Sequence, residues 1–436
     1  MQRDLIGYEP IPGCPTGIIL HDEPCKIVLP AETISAQSRV AFRIDEFPSA
    51  EVEITGCDLN VPREVTVSIK FVQSGFELSG VQLGGNPRTC RIGGYSHEHR
   101  VRYTEPISVS NGRAITAASA FIYNMGRFSF HGRPTAGLDV LKLSIEECIF
   151  EIGPIPHEYA DAVPRITTPW HVPTNFLRIT SLCEGGLQPG DLEAGLFLLR
   201  QFLSFVWGRY VGIALAEGYD TSGQLAFAHW GTMTFDARVP GARPGHWFAP
   251  GHAEVMQDII PGYWRKCRDP HWRDVIEWAI YWWLSANHLG QRSETSILAS
   301  QAALEGLALK ILTESGWSIT SFEKLKAFEK ITELMKTIKG PLPVPSGLTE
   351  LASFATKKRV DGPRAFVQVR DALVHPAKHG EDRVAFEASQ LGMWYLELSL
   401  LFLFGFEGQY RNRTVFDAPF WLTERVPWAP ELLAGG

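Results

Sequence analysis

Residues 293–314 read SETSILASQAALEGLALKILTE. Ile297, Leu304, Leu307 and Ile311 recur at spacings of seven, three and four, and Ser293 is placed to cap the first turn. This stretch predicts a long apolar helix that needs other helices to cover it. The flanking sequence supplies them. Trp272–Asn287 (WRDVIEWAIYWWLSAN) reads as an aromatic-rich helix, and Phe322–Ile338 as a more polar amphipathic one ended by Gly340-Pro341. Leu348–Lys358 is short, Arg364–Val374 is a helix that Pro376 should end, and Arg383–Phe404 is the last long one. Amphipathic helices joined by short loops predict an all-α bundle from about residue 250.

Upstream the period changes from helical to two. Val65, Val67, Ile69 and Phe71 alternate with Thr66, Ser68 and Lys70, and Leu141, Leu143 and Ile145 with Lys142, Ser144 and Glu146. Such alternation indicates half-buried strands. Weaker runs lie at Lys26–Leu29, Val40–Ile44, Glu51–Ile54, Phe76–Leu83, Arg100–Thr104 and Ile115–Tyr123. The proline-rich run Pro154–Pro173 breaks the pattern and is a candidate boundary. Beyond it, Asp191–Gly208 reads as a helix, with strands at Val211–Ala214 and Leu225–Thr232. The expected fold class is α+β multidomain, mainly β first and helical last. The expected parts are a β-rich, sandwich-like domain at 1–165, a mixed α/β connecting region at 166–249 packed on it, and a helical domain at 250–436.

A chain of 436 residues with 45% hydrophobic and 20% charged residues can bury two or three cores. Its net charge of −7 argues against a non-specific duplex-coating role. The seven cysteines are scattered without C-x-x-C spacing, which points to reduced thiols rather than a disulfide framework or zinc ribbon. The first residues, MQRDLIGYEPIPGCP, carry no apolar signal core, and Leu396–Phe406 is too short to span a bilayer. The expectation is a cytoplasmic protein with no membrane association. P-loop, H-E-x-x-H and G-x-S-x-G patterns do not occur, so no cofactor and no metal are expected.

One constellation carries chemistry: Arg370-Asp371-Ala372-Leu373-Val374-His375, of the form R-x4-H. Residues five apart on a continuous helix point about 140° apart. Pro376 pushes His375 out of the helical region, so its imidazole can swing toward the arginine. An Arg–His pair suits RNA cleavage without a metal: the guanidinium clamps the scissile phosphate and the imidazole moves protons. The bland alternative is an exposed arginine and a helix-capping histidine. Arg165 and His171 have the related R-x5-H spacing in the proline-rich run, where no role is assigned.

Several side chains are secondary candidates. Asp371 either orients the pair or is a solvated helical acid. Glu305 either faces the cleft in support or lies on a solvated face. Lys378 and His379 either contact phosphate or form a polar loop. Arg411 and Arg413 are candidates for a basic rim. Trp278, Trp282 and Trp283 either stack bases or belong to a core or dimer interface. His97, His99, Arg100 and Arg102 form a basic strand cluster.

The region Trp272–Arg413 resembles the HEPN superfamily, most closely the ApeA-like HEPN proteins. The likeness rests on the aromatic helix ending Leu284-Ser285-Ala286-Asn287 and on the long helix with Ala303-Leu304-Glu305-Gly306-Leu307. It rests also on the late R-x4-H helix and on the final apolar helix running out through Leu403 to Tyr410. The resemblance implies a HEPN-like bundle with Arg370 and His375 as catalytic residues, an RNA substrate and a homodimer joined through the helical domain. It also implies a bacterial defence setting of the abortive-infection kind, the N-terminal part sensing an unknown trigger or regulator. Ala377 stands where some relatives carry a modifiable tyrosine. The alternative is a non-catalytic HEPN module that binds a nucleotide or protein partner and mediates dimerisation.

Overall fold

Period-two sequence builds two antiparallel sheets in the computed structural model, which describes residues 9–10, 17–29, 32–44, 48–55, 65–83, 90–92, 99–103, 107–126, 128, 139–168, 171–232, 247–288, 293–374, 382–416, 419 and 422–430. The chain divides into two units. The first comprises Met1–Gly126, Leu138–Arg200 and Val211–Pro240, and the second Arg127–Gly137, Gln201–Tyr210 and Gly241–Gly436.

In the first unit, β1 (Glu9–Pro10), β2 (Gly17–Val28), β3 (Thr33–Ile44), β4 (Pro48–Thr55), β5 (Val65–Phe71), β6 (Glu77–Leu83), β7 (Cys90–Ile92) and β8 (His99–Tyr103) form one sheet. Its order is β6-β5-β2-β3-β4-β8-β7, with β1 beside β2. The second sheet contains β9 (Ile107–Ser110), β10 (Ala117–Tyr123), β11 (Leu141–Ile145), β12 (Cys148–Gly153), β13 (Pro173–Ser181), β14 (Gly212–Tyr219) and β15 (Leu225–Thr232). Its order is β11-β12-β13-β10-β14-β15-β9. Val67, Ile69 and Phe71 are buried, as their alternation requires. They share one core with Ile18, Ile27, Val40 and Phe42 of the first sheet and Phe121, Tyr123, Phe176 and Trp230 of the second. Each such side chain contributes about 1.5–3 kcal/mol by leaving water.

The proline-rich run leads directly into β13, which lies between β12 and β10 inside the second sheet. Pro173 is its first residue, where a missing N–H costs least. The connecting region at 166–249 therefore supplies β13, β14 and β15 to that sheet.

Helix α1 (Pro189–Trp207) crosses the division between the units at Arg200. The second unit continues with α2 (Glu254–Arg268), α3 (Arg273–Asn287), α4 (Ser293–Glu314), α5 (Ile319–Glu323), α6 (Ala327–Thr337), α7 (Thr349–Lys358), α8 (Gly362–Val374) and α9 (Asp382–Leu403). A short ribbon of β16 (Gln409–Tyr410) and β17 (Glu424–Arg425) follows. The protein is thus mixed: β-rich first, helical last.

Among the described residues α4 alone is long and apolar enough to cross a membrane by length and composition. It is nonetheless the centre of the bundle, packed against α3, α6 and α9 with Ile297, Leu304, Leu307 and Ile311 buried. Gly392 of α9 permits a close crossing: a Cβ there would overlap the Phe366 ring of α8 and lie 2.7 Å from Ser300 Oγ of α4. The helix expected over Phe322–Ile338 is two helices instead. Ser318 Oγ accepts from Ser321 N to start α5, and Glu329 accepts from Lys326 N at 2.8 Å to start α6 afresh.

Candidate functional site

Helix α8 opens on Asp361, whose Oδ1 accepts from Arg364 N at 3.0 Å. Ala365, Phe366, Val367 and Val369 are buried, and the helix packs against α6 and α9. Arg364 leaves this face by laying its guanidinium 4.9 Å from the Phe328 ring of α6. With the apolar face fixed, Arg370 emerges at the helix edge one turn before Val374, the last described residue of α8.

Arg370 is half-buried, 34% exposed. Its Nη1 donates to Asp371 Oδ1 at 3.1 Å, so the Asp371 carboxylate lies on the arginine. Its Nε is buried and has no hydrogen-bond partner among the described residues. A buried donor without an acceptor costs about 1–3 kcal/mol, so the guanidinium is held by the fold in a state an incoming acceptor would relieve. Nη1 is engaged by Asp371, and Nε is shielded from solvent. His375, Lys378 and His379 lie outside the described residues.

Glu305 sits in a different contact. It accepts from Gln301 Nε2 at 2.8 Å and from Lys330 Nζ at 3.0 Å, and so ties α4 to α6. No hydrogen bond or ion pair joins it to Arg370 among the described residues.

Arg413 is not part of a basic rim. It is 6% exposed, and its Nε and Nη2 donate to the two carboxylate oxygens of Glu397 at 2.9 and 2.7 Å. Nη2 also donates to Asn287 Oδ1 at 3.0 Å, and Asn287 Nδ2 to Gly208 O at 2.7 Å. Burial pushes the Glu397 carboxyl up, and Arg413 pulls it back. The pair joins the chain after β16 to the end of α3 and the middle of α9. Its partners lie 16 and 126 residues away, beyond any local pattern.

The basic strand of the first unit is β8, which pairs with β4. In the β4–β8 register Arg100 is paired with Glu53 and Arg102 with Glu51. His97 lies outside the described residues. Among the described residues no group of three or more His, Cys, Asp or Glu is gathered to hold a metal ion.

The first unit contains a second polar cluster that sequence spacing cannot disclose. Ser108 on β9 donates to Glu193 on α1, and its Oγ lies 2.9 Å from Nδ1 of His229 on β15. His229 is 3% exposed, and burial pushes its imidazole down to about 4. The unfolded chain would take up this proton near pH 6.5, and the folded chain only near pH 4. Between those values the unfolded state binds more protons, so stability is full above pH 6.5 and falls as pH drops toward 4. The expected loss is roughly 2–3 kcal/mol. Urea melts at pH 7 and pH 4.5 check this: the drop should be smaller by most of that amount in His229→Gln than in the wild type.

Residues 269–425 match the YopA C-terminal domain family. The segment opens at the α2–α3 junction and closes on the last residue of β17, so it takes in α8, the Arg413–Glu397 pair and the terminal ribbon. The SPbeta prophage-derived uncharacterized protein YopA of Bacillus subtilis (strain 168) is 29% identical over 245 residues. That alignment covers 54% of this chain and 53% of that protein, so the chain spans about half the length of the curated relative it matches. No solved structure matches the chain.

Proposed function

We propose that this protein is a metal-independent endoribonuclease of the HEPN type, with Arg370 and His375 as its catalytic pair. The observation that carries the reading is the Arg370 guanidinium. Asp371 holds one of its ends, and its Nε donor is buried without a partner among the described residues. Such a group is preorganised for the non-bridging oxygens of a phosphodiester.

In this reading the ribose 2′-OH attacks the adjacent phosphorus and the P–O5′ bond breaks. His375 carries protons from the nucleophile and to the leaving 5′-oxygen, and Arg370 takes up the charge that grows on the phosphoryl oxygens. The products are a 2′,3′-cyclic phosphate and a 5′-hydroxyl. Two copies joined through the helical domain would bring two such motifs into one cleft. The prophage origin of the similar YopA protein fits a setting of conflict between phage and host, with the β-rich unit as sensor or regulator. The Asp371 carboxylate on Arg370 favours, as a second reading, a non-cleaving module that binds a nucleotide or protein partner.

The test is RNA cleavage by the wild-type chain in EDTA beside Arg370→Ala at equal concentration. The proposal expects cutting by the first and none by the second. Equal cutting by both rules out the assignment. A large thermal shift with nucleotide and no cutting by either selects the binding module.

A further inference from the structure

Helix α3 is aromatic on both faces. Ile276, Ile280, Trp283 and Leu284 are buried, whereas Trp278 is 60% and Tyr281 46% exposed. The Trp278 and Trp282 rings lie 6.4 Å apart and within 28° of parallel. Tyr281 stands edge-on to both, at 5.8 and 5.3 Å. Three large rings thus support one another in water on one helix face, which marks an interaction surface rather than a scattered exposure.

The charge beside them narrows the partner. From Arg265 to Asp274 the chain carries four cations (Arg265, Lys266, Arg268 and Arg273) and two acids, within a protein of net charge −7. Arg265 and Arg273 are exposed. Lys266 and Lys310 both place Nζ over the Trp272 ring, at 4.5 and 5.5 Å, which brings a fifth cation to this corner. One acid, Asp269, accepts from His271 N at 2.9 Å and so serves the turn. Asp274 and Glu277 are exposed four residues before Trp278 and Tyr281, on the ring face itself, and Glu314 Oε2 lies 4.0 Å from Lys266 Nζ, so the phosphates are left to the exposed arginines.

We infer that the outer face of the α2–α3 corner binds single-stranded nucleic acid, bases stacking on Trp278, Tyr281 and Trp282 and phosphates following the arginines. Flat exposed rings beside a basic track are what unpaired strands need: every base has a π-face, and the backbone pays its charge to arginine and lysine. The choice of RNA as the natural strand rests on the nuclease reading, but the surface itself does not require cleavage.

The test uses the full chain and a fluorescein-labelled dT12, which has no 2′-OH and cannot be cut by the proposed reaction. Its binding therefore survives even if no RNA is ever cleaved. Anisotropy should show salt-dependent binding. Trp278→Ala/Trp282→Ala should weaken it at least ~10-fold without lowering the melting temperature, and Trp278→Tyr/Trp282→Tyr should restore most of it. Arg265→Ala/Arg273→Ala should lower the slope of log K against log salt by about 1.4, two single-strand phosphate contacts. Unchanged binding in the double alanine variant overturns the inference. So does a change from dimer to monomer in that variant with dT12 binding intact, which would make the rings an interface between copies.

Discussion

Arg413→Ala destabilises the helical unit by about 3–5 kcal/mol, the cost of leaving a buried charge without its partner. Glu397 is fully buried, and Arg413 satisfies both of its oxygens. Removing the guanidinium leaves the carboxylate with only the weaker pull of Arg411, and Asn287 loses the bond to its Oδ1. Two further results separate this cause from lost packing. The penalty should shrink at acid pH, where a carboxyl already raised by burial takes a proton and becomes neutral. Arg413→Met/Glu397→Leu should recover most of the stability, because apolar replacement of both partners removes the desolvation cost together with the attraction. Urea titrations of the wild type and the two variants at pH 7 and pH 5 read both effects.

The second large effect concerns chemistry. In Arg370→Ala the rate of RNA cleavage should fall by roughly 10²–10³, the loss seen when one preorganised donor to a developing oxyanion is removed. Stability should change little, since the ion pair broken among the described residues is the half-exposed one to Asp371, worth about 0–1 kcal/mol. Arg370→Lys keeps the charge and loses the side-on fork, so it should recover only part of the rate. Asp371→Ala should act in the same direction but more weakly, because it frees Nη1 without removing the cation. Single-turnover cleavage with matched melting curves separates these outcomes from misfolding.

The parts of this fold that were legible are those whose partners lie close in sequence. The spacing of Ile297, Leu304, Leu307 and Ile311 predicts a helix over Ser293–Glu314, and α4 has those bounds. Alternation predicts strands over Val65–Phe71 and Leu141–Ile145, and β5 and β11 run there. Other features depend on distant partners and left no local mark. β13 opens on a proline yet is held between β12 and β10, and Arg413 reads as a surface cation until Glu397 and Asn287 are brought to it. In α3 the period of 3.6 separates buried Trp283 from exposed Trp278, a distinction that composition blurs because both faces are aromatic. At the candidate site, the helix expected over Arg364–Val374 lies within α8, described over Gly362–Val374. Asp371 both touches Arg370 and is exposed, so the orienting and solvated-acid readings of that acid stay side by side.

The most direct measurement is the chemistry of the cut ends. A short oligoribonucleotide is incubated with the full chain in EDTA, next to the same strand carrying a single 2′-deoxy residue at the cleaved position, and the products are weighed by mass spectrometry. The expected result is 2′,3′-cyclic phosphate ends from the first strand and no cutting at the substituted position of the second. Cleavage at the 2′-deoxy position, 3′-hydroxyl ends, or RNA left intact both in buffer and in phage-infected extract would contradict it.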